Sequence, residues 1–355
     1  MLIIHEYGAP SHYLGAVEFA KERNEKVSFR EFSTLKLIYR GVKKRDFHLI
    51  KKALYDFFYF MLYFIFPKKM KNMVVIIGIA PLNWRVIFFN RMLKHANVIY
   101  HTSWHVWDGS KYPHPTRLFN KYINLSWDFF LNNIVNKIAA VTECVKEQLV
   151  LYKNIDKSKI QVVYHSYDEK IYFYNNKFRS NDIVYVGRLV ESKGISEILK
   201  ISESLPNLKI LFIGDGCEKE TIKRYSIQNK NIEYLGYLNN KSKISEVFNN
   251  TKFLILPSKR IKDWEELFGM VIIEAMACGC IPLCTDHNGP KAILNNALEK
   301  NIFPEKEITE NIKSRLLEYF SSDEELRSDM KIALKTAKKY SAKEISKKWQ
   351  ELLNG

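Results

Sequence analysis

Four side chains carry most of the chemistry legible in this chain: Arg188, Lys193, Glu266 and Glu274. The two glutamates stand in Glu-Leu-Phe-Gly-Met-Val-Ile-Ile-Glu-Ala-Met-Ala-Cys-Gly, residues 266–279. A carboxylate inside so apolar a run is costly to bury without a partner. The economical reading is that Glu274 opens a buried helix beside a polar ligand, with Glu266 in the loop before it. Gly269 would let that loop's backbone come close to the ligand. A helix N-terminus aimed at a ligand attracts phosphate. Upstream, Gly187-Arg188-Leu189-Val190-Glu191-Ser192-Lys193-Gly194 comes after an apolar strand pattern at Ile183–Val186. Two cations leaving a strand end suit a diphosphate, arginine as a fork and lysine as a point charge. Alone, this segment would read as an exposed basic loop.

The elements that would position these residues are short apolar runs alternating with amphipathic stretches. Strands are expected at Leu2–His5, Val27–Phe32, Val74–Ile77, Val98–His101, Ile138–Val141, Val162–His165, Ile183–Val186, Leu208–Ile213, Ile232–Leu235, Phe253–Leu256 and Ile281–Cys284. Helical patterns lie between many of them, as at Ile195–Leu205, Lys219–Gln228 and Ser242–Asn249. Such alternation predicts α/β architecture with parallel sheets covered on both faces. The strands are too many for one compact sheet, so two doubly wound domains are expected. The boundary falls in the aperiodic stretch 166–181, giving domains 1–168 and 169–340. A last helix begins near Ser341 and carries Ile345, Trp349, Leu352 and Leu353 on one face. In Leu211–Gly216, a strand ending in Gly214-Asp215-Gly216 is a weak signal, with Asp215 read as a helix cap. His101 closes the strand Val98–His101 and could bond a ligand; His105 competes with it, and a structural histidine is the plain alternative.

Glu-x7-Glu followed by Ala275-Met276-Ala277-Cys278-Gly279 and Pro282 resembles the nucleotide-binding signature of retaining GT-B glycosyltransferases, family 4. The resemblance covers most of residues 183–290 and the N-terminal half loosely. It implies two Rossmann-like domains facing a cleft, with the helix 341–355 crossing back to the first. It also implies roles. Arg188 and Lys193 would hold the diphosphate of a nucleotide sugar, Glu274 the ribose hydroxyls and Glu266 the sugar hydroxyls. Backbone at Phe268, Gly269 and Met270 would touch the donor sugar. The Gly187, Gly214 and Gly236 turns would border the nucleotide, the last in the loop Tyr234–Leu238 that passes over the base. His101 would sit near the reacting centre. Gly15-Ala16 stands where the family often has Gly-Gly, in a loop 8–18 that brings an amide to the donor phosphate. Two departures stand out: Asn288-Gly289-Pro290-Lys291-Ala292 has Ala292 in the family's acidic place, and no glycine-rich stretch appears at 295–304.

The chain of 355 residues carries a net charge of +16. Residues 1–130 hold 20 basic and 9 acidic side chains, and the segment 43–71 is basic apart from Asp46 and Asp56. Such a field attracts anionic lipid or nucleic acid, or is a solvated face. Phe57–Phe66 is strongly aromatic and too short to cross a bilayer; core burial and insertion at a membrane interface both fit it. No secretory signal is visible. The five cysteines point to a reducing compartment. Cys278, Cys280 and Cys284, with His287 the one candidate for a fourth ligand, read better as small packing residues than as a metal site.

The reading is therefore a retaining hexosyltransferase that moves a sugar from a UDP- or GDP-sugar to a saccharide or lipid-linked saccharide, in surface polysaccharide or glycan biosynthesis. No metal and no cofactor beyond the co-substrate are expected. The location is expected to be cytoplasmic, peripheral on the cytoplasmic face of the membrane through 43–71. Same-face displacement is expected, because no carboxylate offers itself as nucleophile. A glycosidase pair would leave the phosphate loop purposeless. The alternative is a basic nucleic-acid- or membrane-binding, non-catalytic relative of the fold; no nucleic-acid-binding signature supports it.

Overall fold

A computed structural model of the chain describes residues 1–6, 10–110, 119–261 and 264–354. It divides into two units, Met1–His165 with Ile345–Gly355, and Ser166–Glu344. The expected divisions were at 168/169 and 340/341.

In the first unit, β1 (Leu2–His5), β2 (Ser28–Glu31), β3 (Val74–Gly78), β4 (Asn97–Thr102), β5 (Lys137–Ala140) and β6 (Ile160–Val162) form one sheet in the order β2-β1-β3-β4-β5-β6. Every pairing is parallel. Val75, Ile76 and Ile77 of β3 are all fully buried. That is what helices on both faces require, and it explains why the strand reads as an unbroken apolar run. One face buries Leu2, Ile4, Val75, Ile77 and Tyr100 with Phe89 and Trp127. The other buries Ile3, Ile76 and Ile99 against Tyr13, Phe19, Ile345 and Trp349. The apolar stripe of the last helix, Ala342–Asn354, is thus spent on this sheet.

In the second unit, β7 (Asn181–Val186), β8 (Ile210–Ile213), β9 (Ile232–Gly236), β10 (Thr251–Leu256), β11 (Ile281–Thr285) and β12 (Ile302–Phe303) run in the order β12-β11-β10-β7-β8-β9. These pairings are also all parallel. β12 was not anticipated; two residues after a short 3-10 turn leave no periodicity to read. Each order reverses once, between β1 and β3 and between β7 and β10. Crevices for ligands form at the carboxyl ends of strands at such reversals.

Phe57–Phe66 lies largely within one helix, Phe47–Ile65, capped by Asp46, whose side chain accepts from Leu49 N–H at 3.1 Å. It is neither wholly core nor wholly exposed: Phe60 is buried and Phe58 is not. Among the described residues no helix is long and apolar enough to cross a membrane.

Candidate active site

In the second unit the chain leaves β7 through Gly187 and Arg188. A 3-10 turn, Glu191–Lys193, comes next, and then the helix Ile195–Ser204. A Cβ on Gly214 would lie 1.8 Å from Gly187 O, so only glycine lets the ends of β7 and β8 approach this closely. Gly214 N–H donates to Gly236 O at 2.9 Å, which ties in the end of β9. Three adjacent strand ends therefore form a floor of backbone. Above it lies a cavity of about 440 Å³ lined by Arg188, Asp215, Tyr237, Lys241, Tyr172 and Glu274, together with Gly187 and Gly214.

Arg188 is exposed in this cavity and makes no ion pair with any described residue. Its carbonyl accepts from Tyr185 Oη at 2.6 Å, which orients the turn from beneath. Glu274 shares the cavity. Burial raises its pKa to about 7, against the opposing influence of the Lys241 charge and a hydrogen bond from Tyr172. This carboxylate is poised to gain from polar hydrogens supplied by a ligand. The helix holding it runs Met270–Ala277 with Gly269 as its cap at φ 84°, in left-handed geometry. Glu274 thus sits in the helix's second turn and does not open it, a correction to the sequence reading. The carboxylate reaches the cavity from the side of the helix, and the helix start belongs to Met270.

Lys193 is not a second free cation. It pairs with Glu266 in a short, largely buried contact and lies 4.3 Å from the Trp264 ring centroid. Hydrogen bonds and close packing hold the Glu266 loop. Glu266 N–H donates to His287 Nδ1 at 3.0 Å, Gly289 N–H donates to Glu266 O at 2.9 Å, and Asn288 Nδ2 donates to Glu265 Oε1 at 2.8 Å. A Cβ on Gly289 would meet the Phe268 backbone at 2.6 Å. Phe268 itself is buried, 6.0 Å from the Tyr340 ring. His287 is fully buried, and burial followed by the Arg260 charge lowers its pKa. The neutral ring accepts at Nδ1, which leaves its proton on Nε2, facing Glu305 at 3.6 Å. Sequence reasoning weighed His287 only as a metal ligand. Its signal was its place two residues past the end of β11, immediately before the segment 288–292 that departs from the family pattern. Asp215 does not cap the next helix, contrary to expectation. Glu218 occupies that position, and Asp215 accepts from Gly216 N–H at 3.0 Å.

The first unit has its own cavity, about 180 Å³, at the ends of β1, β3 and β4, lined by His5, Glu6, His12, His101, Trp104 and His165 among others. His101 is buried, 4.9 Å from the Tyr13 ring and 5.3 Å from the His165 ring. Burial, then the neighbouring His12 and His5, lowers its pKa to about 3; His5 falls to about 4 by burial and His12. These rings are neutral at pH 7. His105 does not line this cavity. Gly15 is not in a loop: it lies in the first turn of the helix Leu14–Glu22, where a Cβ would come within 2.6 Å of Ile345 Cγ2. Helix packing accounts for that glycine. Gly8 and Ala9 of the expected loop lie outside the described residues.

Residues 168–337 match the family of glycosyl transferases group 1. An uncharacterized glycosyltransferase of Methanocaldococcus jannaschii is 25% identical over 321 residues, 76% of this chain and 75% of that protein. The N-acetylgalactosamine-N,N'-diacetylbacillosaminyl-diphospho-undecaprenol 4-alpha-N-acetylgalactosaminyltransferase of Campylobacter jejuni is 28% identical over 202 residues, 54% of this chain and 53% of that protein. Among solved structures, HepE of Anabaena in complex with UDP superposes with a TM-score of 0.68 at 14% identity, covering 99% of each chain. That likeness establishes the GT-B fold, here built from two parallel six-stranded sheets.

Proposed function

We propose that this chain, whose residues 168–337 match the glycosyl transferases group 1 family and whose fold is GT-B, is a retaining hexosyltransferase. In this reading it uses a UDP- or GDP-sugar and transfers to a saccharide or lipid-linked saccharide. The observation that carries the reading is the second-unit cavity, where a guanidinium with no ion pair to any described residue and a carboxylate with a raised pKa share one backbone floor at the ends of β7, β8 and β9. Arg188 takes the diphosphate by bidentate hydrogen bonds. Glu274 accepts from the ribose hydroxyls, and the Lys241 charge lies beside it. Lys193 and Glu266 act as a pair: the lysine adds positive charge toward the phosphate while the glutamate turns its free lone pairs to sugar hydroxyls. The first-turn N–H groups at Met270 point the same helix end at the donor.

In the transfer step the bond from the anomeric carbon to the phosphate oxygen breaks, and the acceptor hydroxyl oxygen joins that carbon on the same face. The hydroxyl proton passes to the departing phosphate oxygen. Charge on the leaving group is met by Arg188 and Lys193, so this scheme calls on no metal. The first unit supplies the acceptor side, with His101 as a neutral hydrogen-bonding group. The Campylobacter relative's name specifies a diphospho-undecaprenol acceptor. A lipid-linked acceptor here would place the chain on an anionic membrane surface, at the cytoplasmic face, through residues 43–71, in surface glycan assembly.

Thermal denaturation against a panel of UDP- and GDP-sugars tests the donor assignment. A ligand that binds only the native state at about 100 times its Kd adds about 2.7 kcal/mol. One base series should raise the midpoint and the other should not. Indifference to every nucleotide sugar would overturn the assignment.

A further inference from the structure

The segment Thr34–Ile65 folds as two helices, Thr34–Lys44 and Phe47–Ile65, packed on one another. Each turns one face inward. The first buries Leu37 and Gly41; the second buries Ala53, Asp56 and Phe60. Asp56 anchors the second helix to β2, accepting from Glu31 N–H at 3.2 Å and facing Arg30 at 3.4 Å. The opposite faces should then be polar, and they are not. Phe47, Leu54, Phe58, Leu62 and Ile65 recur at helical spacing and fall within one narrow stripe of the second helix. Leu35, Tyr39 and Val42 do the same on the first. All eight are exposed, Phe47 by 80%, Leu35 by 78% and Phe58 by 67%. A folded protein does not often leave so long an apolar stripe in water.

We infer that this two-helix face is a docking surface for an anionic lipid bilayer, into which the stripe sinks while both helices lie in the plane of the interface. The inference deepens the acceptor reading above, because it names the surface and the residues that make it. Charge selects the occupant. Residues 34–71 contain ten Lys and Arg against Asp46 and Asp56, and Asp56 is buried among cations. A second copy of the chain would bring the same basic fringe against this one and be repelled. A bilayer with acidic headgroups attracts the fringe while its acyl region takes the aromatic and aliphatic stripe. Lys68, Lys69 and Lys71 continue the fringe beyond the C-terminal end of the second helix.

The test is flotation of the full chain with vesicles of phosphatidylcholine alone and of phosphatidylcholine mixed with phosphatidylglycerol. Binding should favour the acidic vesicles and weaken as salt rises. The double variant Leu54→Glu, Phe58→Glu should lose about tenfold or more in partitioning, with no drop in thermal midpoint because both positions are exposed. Lys68→Glu with Lys69→Glu should lose chiefly the salt-sensitive part. Absence of vesicle binding at low salt, binding unaffected by the double variant, or a dimer that the double variant dissolves would each overturn the inference. The double variant should also keep its thermal response to the nucleotide sugar. If instead the parent chain floats with vesicles yet ignores every nucleotide sugar, the donor assignment fails and the docking face stands.

Discussion

Each of the two units has its own sheet of six parallel strands with one reversal of order, yet the cavities at their strand ends differ in kind. The second unit's cavity is charged: Arg188 is exposed and makes no ion pair with any described residue, Glu274 is half-buried, and Lys241 lies near it. The first unit's cavity contains histidines that burial keeps uncharged, His5 and His101 among them. A guanidinium with no ion pair is ready for a polyanion, whereas neutral imidazoles suit hydroxyl groups, accepting at one nitrogen and donating from the other. One architecture thus presents two cavity chemistries, and the difference resides in the residues at and just past each strand end rather than in the sheet.

The contrast breaks most sharply at Arg188. Arg188→Glu places a negative charge where the diphosphate is proposed to bind. If the proposed role is right, it should lower kcat/KM by about 10²–10³-fold, the scale seen when a transition-state charge contact is removed. The thermal midpoint of the free protein should hold, since the side chain is exposed. Steady-state kinetics of the purified variant that showed near-normal turnover would take the diphosphate away from this loop.

Glu274→Gln should act next, through pH. With its carboxyl raised to about 7 by burial, the parent chain should gain affinity for a nucleotide sugar as pH rises through 7, because the ribose hydroxyls need the carboxylate as acceptor. The diphosphate of a nucleotide sugar does not titrate in that range, so the slope reports the protein. The glutamine variant should bind about tenfold more weakly at pH 8 and show a flat profile. Stability should move in the opposite sense. A carboxyl whose folded pKa lies above its unfolded value favours the fold in its neutral form, fully so below the unfolded pKa, and that contribution is lost as pH rises through about 7. The variant's advantage in thermal midpoint over the parent, without ligand, should therefore be larger at pH 8 than at pH 5. Calorimetric titration and thermal scans across pH would sink the assignment if the parent's binding were pH-independent.

Much of the second unit could be read directly from the chain. Strand ends followed by glycine and a cation, and a glutamate within an apolar helix, are local patterns, and the structure assembles Gly187, Arg188, Gly214 and Glu274 around one cavity. Pairing was not legible: nothing in the spacing of Lys193 and Glu266, 73 positions apart, says that one neutralises the other. The helix boundary at Met270 was misjudged because a carboxylate in an apolar run looks like a start signal. Here Gly269's left-handed backbone sets the start instead. In the first unit, β1 ends in His5 and His101 lies next to the last residue of β4, a repeat visible in the sequence but meaningful only once the strand order is known. The exposed stripe at 47–65 escaped for a further reason. Composition shows an apolar run, and only the anchoring of Asp56 reveals which side of the helix is left facing water.

His287 sharpens the charged side of the contrast, because it accepts from the Glu266 N–H and does not line the charged cavity. His287→Leu keeps the bulk and removes the acceptor, leaving the part-buried Glu266 N–H without it at a cost of about 1 kcal/mol. His287→Asn can return an oxygen to the place of Nδ1 and should recover most of that loss. If the histidine orders the loop, the leucine variant should raise the KM for the nucleotide sugar together with its loss of stability, and the asparagine variant should restore both. Equal behaviour of the two variants in kinetics and thermal scans would show that the hydrogen bond is idle.

The smallest effect on activity belongs to Gly15, and it separates packing from ligand contact. A methyl group there meets Ile345 Cγ2 at 2.6 Å and Trp349 Cδ1 at 3.0 Å, within the helix that closes the first unit's sheet. Overpacking of this kind typically costs about 1–3 kcal/mol. Gly15→Ala should therefore lower the thermal midpoint while the Kd for the nucleotide sugar stays within about twofold of the parent. Trimming the opposing side chain, Ile345→Val, should give part of the loss back, since the closest clash is with that residue's γ-methyl. Were Gly15→Ala instead to weaken the nucleotide sugar strongly at unchanged stability, the glycine would be contacting donor phosphate. The division of charged from neutral chemistry between the two units would then fail at that residue.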